Sequence, residues 1–272
     1  MSLQTRFLHV AAASMAAFAA AGSPAHTQPM NDRFATSGKG EEWAVTAGAG
    51  GALRPTYEGS DRYFVTPLPV VSVVWRDMVS LDLSGLNAYW RFDGLQVGGG
   101  LTFNLGRTQN SGVFSQGDSR LNGLGDIPAA LGFRGFVNYR LGPVMLGTVL
   151  TKFVADGNDG LLIDASIGVP WRIDDRLTVM GRLFTTWADS SYTQTYFGVN
   201  ATQSASSGYA VYTAGSGLKN VGLAVGATYK LGANWTASAN AQVTQLLGYA
   251  AGSPYTFSDT GFMLITTLGY RF

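Results

Sequence analysis

The chain has 272 residues, of which 46% are hydrophobic and only 13% are charged, with 36 glycines, no cysteine and a formal net charge of +1. Aromatic residues make up 12% of the chain, and this content together with the low charge excludes an intrinsically disordered protein. The lack of cysteine excludes a disulfide scaffold and a thiolate metal site, and the near-zero charge argues against binding to nucleic acid.

Residues 1–25 have the pattern of a secretory signal peptide. A short polar start with Arg6 is followed by the apolar run Val10–Ala21, and about a dozen apolar residues are too few to cross a bilayer as a helix. We expect cleavage after Ala25. The polar stretch 26–41 is predicted to be a flexible N-terminal segment that leads into a barrel over 42–272.

Alternation of side chains dominates the rest of the chain. In the run 95–106, Leu95, Val97 and Leu101 fall on one face, whereas Gln96 and Thr102 fall on the other. A period of two is that of a β-strand with two different faces. The same pattern, clear or less clear, predicts strands over 127–141, 142–154, 160–172, 175–188, 219–231, 234–243 and 262–272.

The lengths of these runs indicate a membrane protein. They are about 11–14 residues long, against about 5–6 for an average globular strand and about 9–11 for a tilted strand that crosses a bilayer. Tight turns at 76–77, 141–142, 173–175 and 231–233 alternate with long polar stretches at 54–62, 107–126, 189–217 and 248–259. The pattern predicts an all-β, antiparallel transmembrane β-barrel with short periplasmic turns and long extracellular loops. A soluble β-sandwich is the alternative, but its strands would be shorter and its outer face more charged.

The segment 78–106 decides the number of strands, which is even in bacterial single-chain barrels. If both Ser84-Gly85 and Asp93-Gly94 are turns, three strands fit here and the barrel has twelve. If Gly85 is only a bulge, the barrel has ten. Because Asp-Gly is a good hairpin signal, we expect twelve.

Aromatic residues and the C-terminus support an outer-membrane location. The chain ends with Tyr270-Arg271-Phe272, which resembles the terminal strand signal that the barrel assembly machinery recognises in Gram-negative bacteria. Rings near strand ends are typical of the lipid headgroup layer. Such rings are Trp43, Tyr63, Trp75, Tyr89, Trp90, Tyr139, Trp171, Trp187, Tyr229, Trp235 and Tyr270.

The sequence offers little for catalysis. His9 lies in the signal segment and His26 beside the expected cleavage point, so histidine-based nucleophilic catalysis is excluded. The acidic pairs Glu58/Asp61, Asp156/Asp159 and Asp174/Asp175 are interpreted as solvated loop carboxylates. We therefore predict a protein that is not an enzyme and that has no cofactor or metal site.

If the apolar face meets lipid, the polar face lines the lumen. Two interpretations remain open: a mildly basic channel for small anionic solutes, or a closed interior in which arginines pair with Asp82, Asp164 and loop carboxylates. The predicted inward residues are Gln96, Asn104, Arg134, Asn138, Arg140, Asp164, Arg172, Arg182, Lys230, Asn240 and Arg271.

Several clusters, taken in order, resemble the MipA/OmpV family of outer-membrane proteins over roughly 43–272. The stretch 201–211, rich in Ser, Ala and Thr, departs from the family pattern. The clusters are Pro55–Asp61, Pro67–Pro69, Gly123–Asp126, Trp187–Tyr192, Thr195–Val199, Gly215–Lys219 and Tyr270–Phe272.

The resemblance implies a scaffold whose partners are membrane lipid, a murein-degrading lytic transglycosylase and a bifunctional penicillin-binding protein. Other members of the family are similar to adhesins or porin-like proteins. It implies no catalytic residue. The motif residues in loops are expected to shape those loops rather than to contact a partner directly, and they are Tyr57, Glu58, Gly59, Asp61, Asp126, Asp189 and Tyr192.

Overall fold

A computed structural model describes residues 42–111 and 117–272 as a closed antiparallel β-barrel of twelve strands. The predicted signal peptide (1–25) and the predicted flexible N-terminal segment (26–41) both lie outside the described residues. Each strand pairs with its neighbours in sequence, and the first strand closes the sheet against the last, with Thr46 opposite Arg271. The strands are β1 (Trp43–Pro55), β2 (Tyr63–Trp75), β3 (Val79–Asp82), β4 (Gly85–Phe92), β5 (Leu95–Asn104), β6 (Ala130–Leu141), β7 (Val144–Val154), β8 (Gly160–Arg172), β9 (Leu177–Ala188), β10 (Gly217–Lys230), β11 (Trp235–Leu246) and β12 (Thr260–Arg271).

The twelve-strand prediction is confirmed, and the ten-strand alternative is wrong. The chain turns at Leu83-Ser84, and Gly85 begins β4 with a φ of 126° that disfavours other residues. It turns again at Asp93-Gly94, where both residues have positive φ.

The two faces of the strands are oriented as predicted, with the apolar face on the outside of the barrel. On β10, Val221, Leu223 and Val225 are exposed on the outside of the wall, whereas Asn220 and Ala224 are buried on the inside. Since an outer surface of this kind is apolar, it suits hydrocarbon rather than water.

The two ends of the barrel differ in their connections. The end defined by the short connections 76–78, 93–94, 142–143, 173–176 and 231–234 is called the turn end. The opposite end, called the loop end, has the connections 56–62, 105–129, 155–159, 189–216 and 247–259. The loops contain α1 (Ser190–Phe197), α2 (Ala201–Ser207), α3 (Gly248–Ala251) and a 3-10 turn at Ser119–Leu121. None of the described helices is long and apolar enough to cross a membrane.

Aromatic rings line the outside of the turn end. Trp43 lies 6.2 Å from Trp75 between ring centroids, and Tyr270 lies 5.1 Å from Trp235 and 5.0 Å from Phe272. A girdle of this kind anchors a barrel in the headgroup layer. Tyr89 departs from the expectation, because it faces the inside and is buried.

Candidate functional site: the loop-end cap

The long loops fold over the loop end and pack there as a cap. The first of its two hydrophobic clusters is built by α1 and α3 against the upper inside wall. Phe153 and Leu162 of the wall are fully buried beneath Phe197 of α1. The members of this cluster are Ile127, Ala130, Phe153, Leu162, Ala188, Tyr192, Tyr196, Phe197, Leu246 and Ala250.

Helix α1 forms because its ends are capped and its tyrosines stack. The Asp189 carboxylate accepts a hydrogen bond from the Tyr192 N–H at 2.8 Å, and this supplies the N-cap. Tyr192 and Tyr196, one helical turn apart, stack with ring centroids 4.5 Å apart. Burial, followed by the charge of Glu58, raises the pKa of Tyr192 well above its usual value.

The second cluster is mainly aromatic and joins loops that are distant in sequence. The Tyr57 hydroxyl donates to the Tyr255 carbonyl at 2.9 Å, and the Tyr255 hydroxyl donates to the Tyr196 carbonyl at 2.5 Å. These bonds tie the two clusters together. Burial is also the main cause that raises the pKa of Tyr57. The members are Tyr57, Leu121, Leu124, Val199 and Tyr255, with Tyr209 and Tyr212 packed against them.

A buried ion pair crosses the cap. The Lys219 Nζ lies 2.8 and 3.0 Å from the two carboxylate oxygens of Glu58, and it lies 5.3 Å from the centre of the Tyr192 ring. The side chain of Lys219 is 1% exposed and that of Glu58 is 23% exposed. Because an unpaired buried charge is costly, this pair holds the 56–62 loop against the start of β10.

Asp118 is the acceptor that joins the 56–62 loop to the 105–129 loop. It accepts hydrogen bonds from the Thr56 hydroxyl at 2.7 Å and from the Arg62 guanidinium at 2.9 Å. Burial acts to raise the pKa of the Asp118 carboxyl, but the Arg120 N–H and the Thr56 hydroxyl outweigh it, so the net pKa is lowered. Asp61 and Arg120 form a second ion pair between the same loops.

The remaining motif residues also shape the cap. Gly59 has a φ of 96°, its carbonyl accepts the Phe257 N–H at 2.7 Å, and a Cβ there would lie 2.9 Å from the Thr256 hydroxyl oxygen. The Asp126 carboxylate accepts the Gln109 N–H at 2.7 Å. All seven loop residues that the family resemblance singled out therefore make contacts within the loop-end structure.

Six of the eleven predicted inward residues, all of them charged, fall into two groups. Arg134, Asp164 and Arg182 lie on the inside of the wall, where Arg134 interacts electrostatically with Asp82 and Asp164, and Arg182 with Asp164. Positive and negative side chains therefore lie near one another inside the wall, as the interpretation of a closed interior with paired charges requires. The other three, Arg140, Arg172 and Lys230, are exposed at the turn end of their strands.

Four carboxylates of the acidic pairs noted in the sequence form ion pairs with basic side chains. Glu58 pairs with Lys219 and Asp61 with Arg120, while Asp159 pairs with Lys152 and Asp175 with Arg172. Within residues 42–111 and 117–272, no group of three or more His, Asp or Glu side chains is placed to hold a metal ion.

Three residues central to the cap lay outside the sequence-based site prediction: Asp118, Lys219 and Tyr255. Lys219 stands at the end of the cluster Gly215–Lys219, so the motif order was a signal for it. Asp118 and Tyr255 lie in polar loop stretches that no local pattern distinguishes.

A closed wall that is apolar outside and polar inside, with an aromatic girdle at one rim, defines an outer-membrane-type β-barrel. The family described as "MltA-interacting protein MipA" matches residues 47–272, and the chain belongs to this family.

Solved structures that are similar to this chain include an OmpT variant and OmpF. A loop-deletion mutant of OmpT of Vibrio cholerae is 8% identical, with 85% of this chain and 100% of that chain covered and a TM-score of 0.37. OmpF of Salmonella typhi in complex with daunomycin is 11% identical, with 84% and 97% covered and a TM-score of 0.39. No curated protein matches this chain.

Proposed function

We propose that the protein is a non-enzymatic scaffold of the Gram-negative outer membrane. Its turn end faces the periplasm and binds a murein-degrading lytic transglycosylase and a murein-synthesising penicillin-binding protein. The observation that carries this proposal is the family match over 47–272, because the family is described by its interaction with MltA. The barrel assembly machinery inserts the chain, with Tyr270 and Phe272 in its recognition signal.

The difference between the two ends supports the choice of the turn end. At the loop end, the aromatic and charged side chains contact one another within the cap. At the turn end, exposed basic side chains outnumber acidic ones, and such a rim attracts a partner with an acidic surface. The exposed basic residues are Arg76, Arg91, Arg140, Arg172, Arg176 and Lys230, and the exposed acidic residues are Glu42, Asp93, Asp174 and Asp175.

The alternative of a small-solute channel has less support. The cap packs hydrophobic clusters over the loop end, and the inward charges at Arg134, Asp164 and Arg182 alternate in sign. We expect planar bilayers with the folded barrel to show no stable conductance steps, whereas an open channel would show them.

Binding of the purified mature barrel in nanodiscs to purified lytic transglycosylase tests the scaffold directly. The double variant Arg172→Glu/Arg176→Glu changes exposed charge at the turn end, and Lys152→Glu is the control at the loop end. We expect the double variant to weaken binding about tenfold at low salt and the control to leave it unchanged. An absence of binding by the unmodified barrel, or equal effects of both variants, would contradict the proposal.

A further inference from the structure

The wall has a notch above the β3–β4 hairpin. β3 has only four residues, and its ladder with β2 ends at Val73 opposite Leu81. On the far side, the β4–β5 ladder ends at Leu86 opposite Leu101. In the described part of the chain, the register therefore gives the β2 stretch 63–72 no partner strand on the side away from β1.

The notch lies at the depth of the hydrocarbon. A strand that rises about 3.3 Å per residue at a tilt of about 40° climbs about 2.5 Å per residue, so an apolar band of about 25 Å spans about ten residues. Counted from Trp75 in the girdle, this band reaches Val65. The notch opens to the outside, because Val65 is 71% exposed, more than any other large hydrophobic side chain of the described strands.

Two prolines occupy the free edge of β2. The Arg76 N–H bonds to Glu42 beside β1, whereas the Trp75 carbonyl accepts the Met78 N–H on the β3 side. Because backbone groups alternate along a strand, the odd-numbered residues Pro67 and Pro69 also present their backbone to the notch. Proline lacks an N–H, so two of the positions along this edge, 67 and 69, have no donor to offer an added strand.

Apolar side chains lie on both faces of β2 beside the notch. Phe64, Leu68 and Val70 are buried on the inside of β2, together with Thr66 and Ser72. On the outside, Val65 and Val71 flank the two prolines. The inward residues of β10 differ, since they are small or polar: Asn220, Gly222, Ala224, Gly226 and Thr228.

The ends of the notch are polar and fixed. At its lower end, the Arg134 guanidinium donates to the Ser84 carbonyl at 2.8 Å and holds the tip of the hairpin. At its upper end stand Tyr63, which is exposed, and Arg62, whose side chain is half exposed. An arginine at this level suits the phosphate of a lipid headgroup, because its guanidinium has donors beyond those bound to Asp118 and Ser119.

We propose that a phosphate-bearing membrane lipid binds in this notch, with one acyl chain against the Val65–Val71 edge of β2 and its phosphate beside Arg62. Because Pro67 and Pro69 have no N–H, they leave no unpaired donor at these two positions when a hydrocarbon chain lies along the edge. The acyl chain covers the apolar side chains of Val65 and Val71.

Native mass spectrometry of the mature barrel, purified in detergent and incubated with phosphatidylethanolamine, tests the proposal. Val65→Trp fills the notch, and Leu223→Trp is the matched control on the continuous outer face of β10. We expect one retained lipid on the unmodified barrel and on the control, and at least a fivefold lower retention on Val65→Trp, because buried acyl CH₂ groups are lost. Diacylglycerol, which lacks the phosphate, should be retained several-fold less.

Photo-crosslinking locates the occupant and keeps the test valid if Val65→Trp does not fold. In vesicles of phosphatidylethanolamine and phosphatidylglycerol that contain a diazirine-labelled acyl chain, labelling should be concentrated between residues 63 and 72. Uniform labelling around the barrel, equal lipid retention by both tryptophan variants, or a peptide cross-linked to this edge would overturn the proposal.

Discussion

The two ends of the barrel are stabilised in different ways. At the loop end, long connections bury their own aromatic side chains and an ion pair in a packed cap. At the turn end, short connections leave pairs such as Arg172–Asp175 exposed, and the ring pair Trp235–Tyr270 lies at the rim. The loop end therefore depends on internal packing, whereas the turn end depends on the membrane interface and keeps its polar surface available.

The largest difference between the ends should come from tyrosine truncation. Tyr192→Ala removes a buried ring from the cap, and we expect the free energy of unfolding to fall by about 3–5 kcal/mol. Tyr229→Ala removes an exposed ring from the turn end and should cost less than about 2 kcal/mol. Urea unfolding in detergent micelles, followed by tryptophan fluorescence, measures both. Equal losses would show that the cap is not packed as described.

The second-largest loss in the free energy of unfolding should come from breaking the buried ion pair. Glu58→Gln leaves the Lys219 ammonium buried without its counter-charge, and we expect a loss of about 2–4 kcal/mol in the free energy of unfolding. Lys152→Met breaks the exposed pair with Asp159 and should cost about 0–1 kcal/mol. The double variant Glu58→Gln/Lys219→Met should recover part of the loss, and a double-mutant cycle without coupling would contradict the pairing.

A Gly→Ala substitution at each end should give a smaller difference in the free energy of unfolding. Gly59→Ala must adopt a φ of 96° and place its Cβ 2.9 Å from the Thr256 side chain, so we expect a loss of about 2–3 kcal/mol. Gly142 at the turn end has a φ of 60° with no atom near its Cβ position, and Gly142→Ala should cost about 1 kcal/mol. The same urea titration measures both. A larger loss at Gly142 would reverse the comparison.

The smallest expected effect is on the free energy of unfolding at acidic pH. Because folding lowers the pKa of Asp118, its contribution to stability is complete above the unfolded value of about 3.9 and is lost as pH falls through the lower folded value. We expect Asp118→Asn to reduce the loss of stability between about pH 6 and about pH 3. The free energy of unfolding at each pH checks this, and an unchanged pH dependence in the variant would exclude Asp118 as a contributor.

The strands of the barrel wall could be predicted from sequence because alternation and turn signals involve residues that are close together in the chain. Alternation at 95–106 gives the two faces, and the two turn signals Ser84-Gly85 and Asp93-Gly94 together give twelve strands. Its position near a strand end predicts that Tyr89 is a girdle ring, but Tyr89 lies on the inward face of β4 with Gly85 and Asn87. The position of an aromatic residue near a strand end therefore does not show whether its ring faces the lipid or the inside of the barrel.

The cap could not be predicted in the same way, because its contacts are long-range. Lys219 and Glu58 are 161 residues apart, and no periodicity links them. Helix α1, with the sequence SSYTQTYF, lacks a regular apolar stripe and was read as part of a polar loop. The family-like motifs mark Tyr57–Asp61 and Tyr192 as loop-shaping residues, but they do not predict that these residues lie in one packed cap.

Hydrogen exchange of the barrel in nanodiscs, with and without purified lytic transglycosylase, tests the difference between the ends most directly. The account predicts added protection at the turns 76–78, 173–176 and 231–234, and none in the loops 56–62 and 189–216. Protection confined to those loops would contradict it.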